Sequence, residues 1–338
     1  MAIIARQLWE TNTLKTGDST NSLAVRAAWM SFIGRSTQGE IAKRLGVSAA
    51  KVHRLIAHAQ KEGLIKFQVE ARPAECMELE ESLVSEFDLN NCIIAPDLGG
   101  SEDPFSGVAS AAGQFIHRLI SVPEVRRVGM GMGRTLLASV VAMPHLHKPE
   151  LDVVSISGSL TRRLSANPFD VVQRLQMDTG AEGFYLPVPY MAETKEERDM
   201  FLSQRSVQEL LARARASDLF VLGIGSVSRD SHLVQRRLIT EQEHSELLSS
   251  GACCDLLSRF VNPNGSISSV SLNDKAVGLH YEDVRGARVV AVAGGTEKAE
   301  ATLAALRTGV ITDLVIDEPL ARDMLSLLER QKISLSQD

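Results

Sequence analysis

The chain is short of cysteine, of long apolar runs and of nucleotide-binding fingerprints, and each shortage closes off a class of protein. Its four cysteines, Cys76, Cys92, Cys253 and Cys254, include no CxxC pair and no zinc spacing. Adjacent cysteines rarely bridge each other, so reduced thiols in a cytoplasmic protein are expected. No apolar stretch approaches the ~20 residues of a membrane span. Residues 1–22 lack the basic start, apolar centre and small-residue cleavage site of an export signal. The histidines are scattered; His145 and His147 sit in a proline-flanked loop, and no metal site is expected.

What is present is ordinary in bulk and uneven in distribution. At 338 residues, with 44% hydrophobic and 23% charged residues, the chain has room for two soluble domains and a substantial core. Its net charge is −6, yet residues 23–69 carry eight Lys and Arg against Glu40 and Glu62, a local balance of +6. A basic segment on an acidic protein marks contact with a polyanion.

That basic segment contains a helix–turn–helix pattern. Ile41 and Leu45 share one face of a first helix, and Val52, Leu55, Ile56 and Ala59 repeat the helical period in a second. Thr37 and Glu40 have capping-box spacing, Gly46 can take the positive φ that closes a helix, and Ser48 can cap the next one. Ser48, Ala49, Lys51, Val52 and His53 are then placed near base edges, with Gln38 and Arg54 meeting phosphates. Ahead of this unit, residues 1–22 read as a loose arm. Residues 23–33 read as a helix whose Val25, Ala28, Trp29 and Phe32 cover the pair from behind, and residues 64–71 alternate like a wing strand.

Residues 71–90 read as a linker helix with an apolar stripe of Met77, Leu79, Leu83, Val84 and Phe87, packed on its own domain or on a second subunit. From residue 91 to 338, strands alternate with helices, which predicts an open, mostly parallel α/β sheet with helices on both faces. Residues 183–190 are read as one of its strands. Ligands of such sheets bind beyond the carboxyl ends of the strands.

Four strand ends carry glycine or small-hydroxyl turns: Gly129 to Thr135, Ser157–Gly158–Ser159, Gly223–Ile224–Gly225–Ser226 and Gly294–Gly295–Thr296. Glycine admits a ligand close to the backbone, and N–H groups at the following helix start attract an anion. The first turn is GxGxG, neither GxGxxG nor a P-loop, so a nucleotide cofactor is disfavoured and no cofactor is expected. Arg134, Thr135, Asp255 and Lys298 are the polar candidates. Lys298, in the first turn of a helix, opposes the helix dipole and so suits an anionic partner.

With these residues in view, the chain resembles the SorC family of bacterial sugar-binding transcriptional regulators over residues 23–328. The carriers are TQGEIAKRLGVSAAKVHRLIAHAQKEGLI, VGMGMGRTL, VLGIGS, GACCDLLSRFVNPNG and VAVAGGTEKAEATLAALRTGVITDLVIDE. The resemblance implies a Rossmann-like effector domain similar to phosphosugar isomerases and deaminases, and dimers or tetramers on operator DNA. It also implies a phosphate loop at Gly131, Met132, Gly133, Arg134 and Thr135. Gly158, Ser159, Gly223, Gly225, Ser226, Asp255 and Lys298 surround that loop. Met132 stands where many members have Trp, and Ala49, Ala50 and His53 stand where Arg, Pro and Ser are frequent.

The expectation is a transcriptional regulator, a repressor of a carbohydrate or polyol operon, controlled by a sugar, polyol or sugar phosphate. The alternative is a phosphosugar isomerase or deaminase with an accessory DNA-binding domain. That chemistry needs a carboxylate or His beside the substrate carbonyl. The glycine turns contain no His and no paired carboxylates.

Overall fold

The computed structural model describes residues 19–67, 69, 71–99, 105–158, 170–235 and 237–335. The chain divides into two compact units, residues 1–68 and 69–338. Most of the expected arm, residues 1–18, and Ser159 lie outside the described residues.

In the first unit, α1 (Ser19–Ala28) begins four residues earlier than expected and runs into a π-turn, Trp29–Ile33. α2 (Gln38–Leu45) and α3 (Ala49–Lys61) form the helix pair. The local chemistry is as read: Thr37 and Glu40 complete a capping box, Gly46 closes α2 at φ 65°, and the Ser48 side chain accepts from the Lys51 N–H. Ala24, Ala27, Ala28, Ile41, Val52, Leu55 and Ala59 form the core. His58 is tied to Asn21 at 2.6 Å, joining α3 to α1.

The expectation that Trp29 and Phe32 are core residues is overturned, since they are 58% and 40% exposed. Alanines already fill the inner face of α1, and the wider π-turn rotates the residues after Ala28 away from that face. Phe32 instead meets the Phe67 ring edge-on at 4.8 Å. Residues 64–67, 69 and 71 of the expected wing carry no strand.

The second unit opens with α4 (Ala74–Phe87), the expected linker helix, which packs on its own domain through Cys76 and Leu83. Then come β1 (Asn91–Ala95), α5 (Ser106–Ile120), β2 (Arg127–Met130), α6 (Arg134–Ala142) and β3 (Asp152–Ser155). α7 (Val171–Thr179), β4 (Glu182–Phe184), α8 (Lys195–Ser203), α9 (Arg205–Arg215), β5 (Leu219–Gly223) and β6 (Gly225–Ser226) follow. The chain continues through α10 (His232–Gln235), α11 (Glu241–Ser250), β7 (Cys254–Leu256), β8 (Arg259–Val261) and α12 (Ser271–Lys275). It ends with β9 (Val289–Val292), α13 (Ala299–Arg307), β10 (Asp313–Asp317) and α14 (Glu318–Leu335).

Seven strands form one sheet in the order β1-β10-β9-β5-β2-β3-β4, every pair parallel. Alternate strand residues feed two cores. Val128, Val153, Val221 and Val290 pack with α5, α6 and α7 on one face; Val154, Phe220, Ala291 and Leu314 pack with α4, α9, α13 and α14 on the other. Each of these valine, leucine and phenylalanine side chains contributes about 1.5–3 kcal/mol on burial. Lys148 closes α5, its ammonium donating to the carbonyls of Ile120, Val122 and Val125 at 2.8, 2.6 and 2.7 Å.

The chain winds outward from β2 through β3 to β4, then returns to the other side of β2 as β5. The crevice of a doubly wound sheet lies at that reversal, beyond β2 and β5. β6 leaves the end of β5 and pairs antiparallel with β7, which pairs with β8, forming a small flap over this edge.

Candidate functional site

Two surfaces carry chemistry, one in each unit. On the first, Ser48, Ala49, Lys51, His53 and Arg54 are exposed at the start of α3, and Gln38 is exposed at the start of α2. Val52 is completely buried among Ile41, Leu55 and Ala59. It shares the inner face of α3 with them, so its expected base-edge contact is corrected to a core role. What remains outside is small residues followed by donors, a shape that fits the major groove.

The second surface is a cavity of about 440 Å³ beyond β2 and β5. The β2 turn contributes Gly131, Met132, Gly133, Arg134 and Thr135; the β5 turn contributes Gly223, Gly225 and Ser226; β7 brings Asp255, and the turn before α13 brings Lys298. Gly133 has φ 136°, a conformation that other residues rarely adopt, and it is the N-cap of α6, whose first N–H groups have no intrahelical partner and no side-chain cap. Gly225 faces Asp255 across the flap, where a β-carbon would come within 3.1 Å of the Asp255 Cβ. Glycine there is what lets the carboxylate approach.

Two expected members are not brought together with these. Gly158 is absent from the cavity wall. A β-carbon on it would lie 2.2 Å from the Pro189 carbonyl oxygen, so this glycine is needed for backbone packing. The Gly294–Gly295–Thr296 turn is also outside the wall, and the Gly295 N–H donates to Asp317 at 2.7 Å. The protein's own carboxylate takes the place of a ligand anion there. Lys298 does not sit inside the helix; it ends a short 3-10 turn and is the residue just before α13.

Electrostatics divide the cavity. Burial pushes the Lys298 ammonium below the usual lysine range, and it makes no hydrogen bond or ion pair among the described residues. Arg134 lies on the same side, its guanidinium 5.6 Å from the Phe105 ring centre. Opposite in character is Asp255, whose carboxyl is raised by burial to about 6, with hydrogen bonds from Tyr190 and the Ser258 backbone opposing the shift. Ser231, also in the wall, is buried and its hydroxyl has no partner among the described residues.

Tyr190 was missed in the sequence. Residues 183–190 were expected as a strand, but only Glu182–Phe184 is one. Pro187 and Pro189 remove two backbone donors, and the chain leaves the sheet and turns Tyr190 toward Asp255. The segment of Ser228, Asp230, Ser231 and Leu233 that closes the cavity gave no sequence signal beyond its polarity.

All four cysteines are free, and burial pushes the thiols up, to about 11 for Cys76 and about 12 for Cys253. No described helix is long and apolar enough to cross a membrane.

A basic helix–turn–helix joined to a doubly wound domain with a ligand-sized cavity at its switch point defines a DNA-binding regulator with a ligand-sensing domain. Residues 34–66 match the family described as winged helix-turn-helix DNA-binding, and residues 71–326 match the one described as "Putative sugar-binding domain". The chain belongs to the SorC family of sugar-binding transcriptional regulators.

It is 36% identical to the erythritol catabolism regulatory protein EryD of Brucella abortus (strain 2308), over 91% of this chain and 98% of that one. It is 28% identical to the transcriptional regulator LsrR of Enterobacter sp. (strain 638), covering 90% and 93%. The full-length sorbitol operon regulator SorC of Klebsiella pneumoniae has the same fold, with a TM-score of 0.68 at 23% identity, covering 90% of this chain and 98% of that one. These relatives are regulators, and with the helix–turn–helix they make this chain a regulator rather than an enzyme.

Proposed function

We propose that this chain is a cytoplasmic, homo-oligomeric repressor of a polyol or carbohydrate operon, controlled by a polyol, sugar or sugar phosphate bound beyond β2 and β5. The observation that carries this reading is one cavity lined by an ammonium and a hydroxyl that have no partner among the described residues, together with an acceptor carboxylate: Lys298, Ser231 and Asp255. Buried polar groups are normally satisfied, so such a set describes a ligand that is both anionic and hydroxylated.

Lys298, Arg134 and the N–H groups at residues 133–135 take the anionic end. Asp255, Ser226 and Ser231 take hydroxyls, and Gly131, Met132, Thr135, Gly223 and Gly225 shape the walls. The name of the Brucella relative points to a four-carbon polyol or its phosphate as the effector class. No cofactor is required. Two or four subunits would present paired α3 helices to operator half-sites one helical turn apart, Lys51, His53 and their neighbours reading bases while Gln38 and Arg54 hold phosphates. The effector shifts DNA affinity only by its difference in affinity between two subunit arrangements.

A thermal-shift screen of erythritol, other polyols, sugars and their monophosphates tests this, since a ligand selective for the folded state raises its melting temperature. The expected hit carries a phosphate, loses its effect in Lys298→Met and changes operator affinity. Hits that stabilise Lys298→Met as well as the wild type would overturn the placement.

A further inference from the structure

The Tyr190 hydroxyl has one proton, and both oxygens of Asp255 lie within its reach, at 2.8 and 3.1 Å. Both residues line the cavity. Neither is held loosely. The Tyr190 ring is buried in a core cluster with Met191, Val227 and Leu233. Its backbone carbonyl accepts from the Val277 N–H at 3.0 Å, and Met191 bridges Ala276. Gly158 lets this strap lie flat, because only a residue without a β-carbon fits against the Pro189 carbonyl. Asp255 is fixed from the other side by the pairing of β7 with β6.

We propose that Tyr190 is a positioning residue for effector recognition: it aims the Asp255 carboxylate and holds it as an acceptor for two ligand hydroxyls, so that recognition fails when Asp255 is protonated. This rests on reading the cavity as the effector site. Tyr190 itself stays neutral, since burial and the Asp255 charge keep its hydroxyl well above the usual tyrosine range. It therefore donates at every physiological pH. An ionised Asp255 accepts a hydrogen bond from that hydroxyl and keeps lone pairs for vicinal hydroxyls. A protonated Asp255 offers one acceptor fewer and competes as a donor.

The cavity wall that holds Asp255 also carries Asp230, Arg134, Glu297 and Lys298, and Arg259 lies on the next strand of the flap. Burial raises its carboxyl to about 6, while Tyr190, the Ser258 backbone and Arg259 pull it back down. Cys254, the preceding residue, stays a thiol because burial and Asp255 raise it. Arg259 acts at a distance and forms no ion pair with Asp255. Removing the Tyr190 hydroxyl takes away the largest opposing influence, so the midpoint moves upward.

The test uses the full chain labelled with 3-fluorotyrosine, which places fluorine at its three tyrosines, Tyr185, Tyr190 and Tyr281. The resonance missing from Tyr190→Phe is expected to titrate with a midpoint near 6 and to be flat in Asp255→Asn. A Tyr190 resonance that is flat from pH 5 to 8, or that titrates unchanged in Asp255→Asn, overturns the coupling whether or not any ligand binds.

Calorimetry with erythritol 4-phosphate gives the second readout, with the titration of the probe's own phosphate measured separately on the free probe and subtracted. Wild-type affinity is expected to fall about tenfold per pH unit below the midpoint. In Tyr190→Phe this fall should begin about one pH unit higher, the order expected for losing one hydrogen bond to a charged group, with recovery at pH 8. A loss equal at all pH values would mean that Tyr190 only fills space, and would overturn the proposal. A normal fluorine titration alongside a probe that never perturbs the Tyr190 resonance would instead count against the cavity as effector site.

Discussion

Replacing Asp255 with Asn should make the protein more stable at neutral pH while it loses its effector response. The Asp255 carboxyl sits at about 6 in the folded chain against an ordinary 3.8, with burial the main cause. A shift of about two pH units corresponds to ~3 kcal/mol. The sign follows from proton binding. Between about pH 4 and 6 the folded chain holds this proton when the unfolded chain has released it, so stability falls as pH rises through that window. Above pH 7 the full penalty is present; below pH 4 it is gone. The amide of Asn carries no such penalty and can still accept from Tyr190. The stability difference between variant and wild type should therefore grow by up to ~3 kcal/mol from pH 4 to pH 7.5, the upper limit applying to full desolvation. In a unit of this size that is roughly 5–10 °C in melting temperature. Calorimetric melts of both proteins at pH 4.5 and 7.5 measure it. A difference that stays constant across that range would refute the reasoning, because no buried carboxylate would then be ionising at the cavity.

Other variants test other parts of the account. Arg54→Ala should weaken operator binding and flatten the salt dependence of log K by about one, read by fluorescence anisotropy between 50 and 200 mM salt (about the range over which counterion release is visible). An unchanged slope would move Arg54 off the phosphates. Val52→Ser should cost the first unit about 2–3 kcal/mol through lost packing and a buried hydroxyl, seen as a lower helix melting temperature. Altered operator choice at unchanged stability would return Val52 to the DNA face. Lys148→Met should destabilise the second unit by about 1–3 kcal/mol in urea unfolding, because the buried Ile120 carbonyl and two part-buried carbonyls lose their shared donor.

The sequence was most legible where function rests on local rules. Thr37, Glu40, Gly46 and Ser48 act within their own turns, so their capping roles follow from spacing alone. The alternation of apolar strands and helices carried the sheet for the same reason, and glycine turns after β2 and β5 marked the cavity because chain reversal puts those two strands side by side.

The rest depends on contacts between distant residues. A helical period assigns Trp29 and Phe32 to a face, but nothing local announces the π-turn that rotates them outward. Gly158 and Gly225 look alike as letters. One accommodates the Pro189 carbonyl and the other the Asp255 side chain, a distinction made only by what folds against them. The Tyr190–Asp255 pair spans 65 residues of sequence, so no window around either residue contains it. The two prolines beside Tyr190 were the available sign that its segment leaves the sheet.

The most direct test titrates a fluorescent operator duplex with the full chain, with and without a polyol or sugar phosphate that raises its melting temperature. The account expects DNA affinity to change at least tenfold with the wild type and not with Lys298→Met, whose DNA affinity without effector is otherwise intact. A duplex affinity indifferent to every compound that stabilises the protein would contradict the coupling of the basic helix pair to the cavity.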